Sequence, residues 1–146
     1  MTLTRSFLLA PLCLLLFAAG CGGDDNQALS YDETGTEVSE ICQSVEFSGL
    51  TGEPENDAAQ LEVIIPDFEA AIEDVRELEV DEELETDRDA FADNADEQLA
   101  IIQEAQTIAE SGDKRAYREK VEETQPLDRE SDLLASRLGA SGCLED

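Results

Sequence analysis

A chain of 146 residues with 37 acidic against 9 basic side chains, a formal charge of -28 and no histidine is too short for more than one domain and too negative to bind nucleic acid, which needs a basic surface to release counterions. The missing histidine also excludes Ser-His-Asp and Cys-His catalysis, His-containing zinc sites and the Glu-x-x-His di-iron sites of helical bundles. The apolar residues are chiefly Leu, Ile, Val and Ala, with no Trp, a palette that suits helix packing better than a sandwich or barrel.

The acidity disfavours adsorption on anionic lipid and reads as a hydrated, solubilising surface. The N-terminus has one charge, Arg5, followed by an apolar run of about 13 residues that ends in Phe17-Ala18-Ala19-Gly20-Cys21. A bilayer span needs about 20 residues, so the run fits the hydrophobic region of a signal peptide covering 1–20. The Ala19-Gly20-Cys21 junction resembles a bacterial lipobox, at which a precursor is diacylated on cysteine and cut just before it. The resemblance implies that Cys21 is the lipidated residue and the membrane anchor, with the mature chain on the extracytoplasmic face. Ala18 stands where that motif usually has Leu, and secretion without lipid is the alternative. Two acyl chains would make a stable anchor, at about 0.8 kcal/mol per buried methylene.

Residues 22–35 are polar and aperiodic and predict a flexible tether with a reach of roughly 20 Å; the folded domain is then 36–146. A short first helix is expected from Thr36 to about Val45, because Val38, Ile41, Cys42 and Val45 fall on one face; Thr34 with Glu37 would form its capping box. Phe47 to Glu55 reads as a loop. Asn56 is the expected cap of a second helix reaching about Val80, with Leu61, Ile65, Phe68, Ile72 and Val75 as its seam. The apolar phase runs unbroken through Pro66, which predicts a kink there rather than two helices.

A third helix from about Glu83 to Ser111 follows from Phe91, Ala95, Leu99, Ile102, Ala105 and Ala109, and Ser111-Gly112-Asp113 supplies a stop and a new cap. The fourth is expected from Lys114 to Leu138, with Tyr117, Val121, Leu127, Leu134, Ala135 and Leu138 inward, and with Pro126 bending it or Thr124 capping a restart. Gly139 ends it. Short connections make neighbouring helices antiparallel.

Of the four cysteines, Cys13 leaves with the leader and Cys21 is taken by the lipidation that the resemblance implies. Cys42 and Cys143 remain, and export to an oxidising compartment predicts a disulfide between them. Such a bond requires the first helix to lie against the end of the fourth, with Cα atoms about 4.4–6.8 Å apart. The expected fold is therefore all-α: an antiparallel bundle of three long helices plus a short N-terminal helix, stapled by one disulfide.

No catalytic constellation and no cofactor motif stand out. Asp87-x-Asp89 begins like a calcium loop, but Phe91 and Ala92 occupy positions where a ligand and the turn glycine belong. Asp89, Asp93, Asp96 and Glu97 share a helix face and read first as solvated, second as weak metal ligands. Lys114, Arg115, Arg118 and Lys120 hold half of the basic charge left after the leader. They crowd the start of the fourth helix, where cations oppose the dipole. Pairing with Glu53, Glu55 or Glu110, and of Arg118 with Glu122, is the expectation, and a docking patch for an acidic partner or cell-wall polymer the alternative.

With Ile41-Cys42, Ser111-Gly112-Asp113, and Leu138-Gly139 before Cys143, the whole chain is similar to the small, acidic, lipid-anchored helical proteins of unassigned role in high-GC Gram-positive bacteria. The similarity brings no assigned activity, and the first expectation is a membrane-tethered, non-catalytic helical module that binds or spaces something at the cell envelope, with an envelope protein as its candidate partner. An acidic carrier of cations or small ligands is the second expectation, and an enzyme the third.

Overall fold

The computed structural model describes residues 28–45 and 50–144. The expected leader at 1–20, the lipidation site Cys21 and the first part of the tether lie outside the described residues. The described chain is all-helical: α1 Tyr31–Ser44, α2 Pro54–Glu77, α3 Glu82–Ser111, α4 Lys114–Val121 and α5 Gln125–Leu138, with 3-10 turns at Glu122–Thr124 and Ser141–Cys143.

The expected tether extends too far toward the C-terminus. Leu29 forms a parallel bridge with Val80, donating to the Glu79 carbonyl at 2.7 Å and accepting from Asp81 N–H at 3.0 Å. The helix then starts at Tyr31, not Thr36. Its capping box is Ser30 with Glu33 rather than Thr34 with Glu37: Glu33 Oε2 accepts from both the backbone N–H and the hydroxyl of Ser30. Thr34 is instead fully buried, its hydroxyl turned to the Leu29 carbonyl.

Helix α2 begins at Pro54, one turn earlier than an Asn56 cap would place it. Proline at the first helical position loses an N–H that would have no partner there, and its fixed φ is already helical. Pro66 lies inside α2, which is continuous through it. Pro66 and Glu62, whose carbonyl loses its donor, are both exposed, so water can take the freed acceptor.

The core lies mainly between α2 and α3, where Leu61, Ile72 and Val75 pack in one cluster with Phe91, Ala95, Leu99 and Ala105. Arg76 of α2 reaches Asp93 of α3, whereas Glu69 meets Gln103. The partner's number rises as the α2 number falls, so the two helices are antiparallel.

The expected fourth helix is divided into α4, a 3-10 turn and α5. Asp113 caps α4 as anticipated, accepting from Ala116 N–H at 3.0 Å. Thr124 does not cap α5; its hydroxyl points back to the Val121 carbonyl at 3.0 Å and to Asp128 Oδ2 at 3.2 Å. Gly112 and Gly139 close α3 and α5 in the left-handed region, at φ 73° and 75°.

Cys42 and Cys143 are disulfide-bonded, with Cα atoms 5.3 Å apart, and α1 lies against the end of α5 as that bond requires. The approach is close. A Cβ on Gly35 would fall 2.6 Å from the Gly139 carbonyl oxygen, so only glycine lets the two backbones meet. Tyr31 donates to the Ser136 carbonyl at 3.3 Å, and Gly142 N–H donates to the Ser39 hydroxyl at 3.1 Å.

Candidate functional site

The basic cluster at the start of α4 is mostly occupied within the molecule. Lys114 pairs with Glu53, and Arg118 reaches the same carboxylate at 2.7 Å while donating to the Gly52 carbonyl at 3.2 Å. Glu122, four residues after Arg118, is not its partner, and Lys120 joins Glu104 at 2.8 Å and Glu123 at 2.9 Å. Arg115 is the most exposed of the four, facing Glu119 at 3.9 Å. These contacts hold α4 to the chain before α2 and to α3. The two salt-bridging cations lower the pKa of Glu53, Lys114 most of all, and the Glu104 carboxylate raises that of Lys120.

The acidic face of α3 is also engaged. Asp93 and Asp96 both pair with Arg76, and Asp89 pairs with Arg88 at 2.7 Å. Among the described residues no group of three or more acidic or cysteine side chains is arranged to hold a metal ion. The candidate ligands Asp89, Asp93, Asp96 and Glu97 therefore do not converge on one point.

A residue not singled out by the sequence joins these elements. Asp57 is fully buried near the start of α2. Its Oδ1 accepts from the backbone N–H and the hydroxyl of Thr51, both at 2.8 Å. Its Oδ2 accepts from Gly52 N–H at 2.8 Å and from the Tyr117 hydroxyl at 2.9 Å. Burial pushes the carboxyl upward, but the bonds from Thr51, Tyr117 and Gly52 outweigh it and hold Asp57 below the usual carboxylate range. Burial and the neighbouring carboxylate push the Tyr117 hydroxyl well above its usual value, so it stays a donor. Asp57 is 0% and Tyr117 1% exposed; the pair fixes α4 to α2, with Tyr117 also among the residues that line the neighbouring cleft.

The opening suited to a ligand lies beside this junction. A cleft of about 470 Å³ runs between α1, α2, α3 and the α4–α5 arm, within the range of small-molecule sites, about 300–1,000 Å³. Phe68, Ala71, Phe91, Ala95 and Ile102 contribute to its apolar lining, and the Cys42–Cys143 pair borders it. Leu50, Val121 and Leu144 also line the cleft and are exposed by 36%, 38% and 40%. The helical spacing predicts Val121 to face inward, but it ends α4 with its side chain exposed. Three of the six exposed large hydrophobic side chains among the described residues thus belong to one opening, whereas scattered ones are ordinary.

Polar groups gather along one side, from Thr124, Asp128, Ser131 and Asp132, with Gln98 opposite on α3. Burial pushes the Asp128 carboxyl up; the Thr124 hydroxyl pulls it down, the Asp132 charge pushes it up again and Arg129 opposes, leaving it raised. Neither Asp128 nor Asp132 has a salt bridge among the described residues. The site combines an apolar interior with a few convergent polar groups, suited to binding. Its residues were legible in the sequence only as core positions and as members of a large acidic population.

No helix among the described residues is long and apolar enough to cross a membrane. Comparison with known proteins gives no match to any family model, curated protein or solved structure.

Proposed function

We propose that this chain is a lipid-anchored, non-catalytic helical module at the outer face of the cell membrane, and that its cleft binds an apolar small ligand. The observation that carries the binding role is the 470 Å³ cleft with exposed Leu50, Val121 and Leu144 among its lining residues. Solvent-facing hydrophobic surface gathered at a concavity marks a place where something is bound. In this reading α2, α3 and the α4–α5 arm are the three long members of an antiparallel bundle, the arm serving as one interrupted rod. Helix α1 is the short fourth member, strapped across one end by the disulfide.

Export is supported by the Cys42–Cys143 bond, since disulfides persist in oxidising compartments. The Ala19-Gly20-Cys21 junction then makes Cys21 the acylated residue, eight positions before Leu29, where the described fold begins to pair. Labelled fatty acid should join the intact chain and fail to join Cys21→Ala.

The binding role is tested with a neutral naphthylamine fluorophore and the soluble domain. The wild type should enhance its emission saturably, and Ala95→Leu, which projects bulk into the cleft, should weaken binding at least about tenfold while the protein still melts cooperatively. No saturable binding, or equal binding by Ala95→Leu, would refute the role.

A further inference from the structure

The charge along the cleft narrows the class of ligand, an inference that rests on the cleft being a ligand site. Among the described residues no lysine or arginine lines it, while Asp128 and Asp132 lie on its α5 side, one helical turn apart. On α3, Asp93 and Asp96, with side chains 75% and 46% exposed, are paired with Arg76. Here two carboxylates line an apolar space with no salt bridge among the described residues, and burial disfavours the charge of Asp128 more than the nearby Arg129 favours it. Like charges at i and i+4 repel, and a desolvated carboxylate gains most from a charge-assisted partner.

We propose that the ligand is a cationic amphiphile: an apolar chain or ring system bearing one protonated amine or quaternary ammonium. The apolar body lies among Phe68, Ala95 and Ile102, and the cation lies at Asp128 and Asp132, with Thr124 and Ser131 beside it. An anionic head such as a fatty acid carboxylate would add a third negative charge to the pair. A neutral alcohol would leave both carboxylates as they are.

The global field complicates this choice, because a net charge of -28 attracts any cation. Neutralising two carboxylates removes only a small part of that field but all of the local pair, which separates the two effects. The test is competition for the naphthylamine fluorophore by decyltrimethylammonium, decanol and decanoate, each below its micellar concentration, on wild type and on Asp128→Asn/Asp132→Asn.

The expected result is that the ammonium binds at least about tenfold more tightly than decanol, and decanoate more weakly than either. The double substitution should reduce the ammonium-to-decanol ratio at least about fivefold. Asp132→Asn alone, whose side chain makes no hydrogen bond in the described fold, should give an intermediate ratio and serves if the double variant folds poorly. An ammonium preference that survives these substitutions belongs to the global field and overturns the proposal, as does equal binding of ammonium and decanol. Equal binding leaves the cleft a site for neutral ligands. Failure of all three competitors to displace the fluorophore overturns the site reading with it.

Discussion

Replacing Gly35 by alanine opposes two effects of known sign. Within a helix, alanine is favoured over glycine by about 1 kcal/mol, so local propensity alone predicts stabilisation. The fold predicts the reverse. The added Cβ would lie 2.6 Å from the Gly139 carbonyl oxygen and 2.7 Å from its carbon, whereas ordinary carbon contacts are at about 3.5–4.0 Å. The obstructing atoms are backbone, in a residue at φ 75° with the Tyr31 ring against its other side. The whole α1 helix must therefore move by about 1 Å. Overpacking costs typically 1–3 kcal/mol, and rigid neighbours place this site in the upper part of that range. After the propensity gain, a net loss of about 1–2 kcal/mol remains, or roughly 4–8 °C in melting temperature. Chemical denaturation of Gly35→Ala should show that loss. In a Cys42→Ala/Cys143→Ala background the helix is released from its staple, and the penalty should shrink by at least about half, as a double-mutant cycle would register. A stabilised Gly35→Ala protein would refute the close approach of α1 and α5.

Asp57→Ala leaves the donors of Thr51, Gly52 and Tyr117 without their acceptor and should cost about 3 kcal/mol or more in equilibrium unfolding, against about 1.5–3 kcal/mol for Tyr117→Phe. The pH dependence has a definite sign. The folded carboxyl of Asp57 is held below its ordinary value, so its contribution is complete above about pH 4, where the unfolded group titrates, and is lost as pH falls through the folded value. Wild type should thus show a steeper acid loss than Asp57→Asn, and parallel profiles would contradict the assignment. Asp128 has the opposite sign: its raised folded value favours the folded state at acid pH, and that contribution disappears as pH rises through it. Asp128→Asn should consequently raise the melting temperature at neutral pH, consistent with a binding group retained against stability; a lower one would count against burial as the cause.

Much of this architecture is legible in local pattern. The seam Leu61, Ile65, Ile72 and Val75, and the repeat from Phe91 to Ala109, predict α2 and α3 because helical burial imposes their spacing. Pro66 leaves that phase intact, as its exposed face permits. Once the lipobox resemblance sets Cys21 aside, the remaining cysteine pair places α1 against the end of α5. What escaped depends on contacts distant in sequence. Gly35 looks like the end of a tether because helices disfavour glycine, and only Gly139 explains it. The cap motif Ser/Thr-x-x-Glu occurs twice in succession, at Ser30 and Thr34, and only the burial of Thr34 decides between them. Asp57 is one acid among 37 until Tyr117 arrives from 60 residues away. The cleft is hidden for a related reason: apolar periodicity identifies the face that packs, and it cannot distinguish a filled contact from an open one.

Binding of an apolar ligand in the cleft can be followed residue by residue with methyl NMR. With isotope-labelled alanine and isoleucine methyls, titration with decylamine should shift Ala71, Ala95 and Ile102, which line the cleft, along one saturating isotherm. Valine-labelled Val63, exposed on α2 but outside the cleft, should stay unmoved. Shifts that fail to saturate, or that are as large at Val63 as at Ala95, would contradict the account.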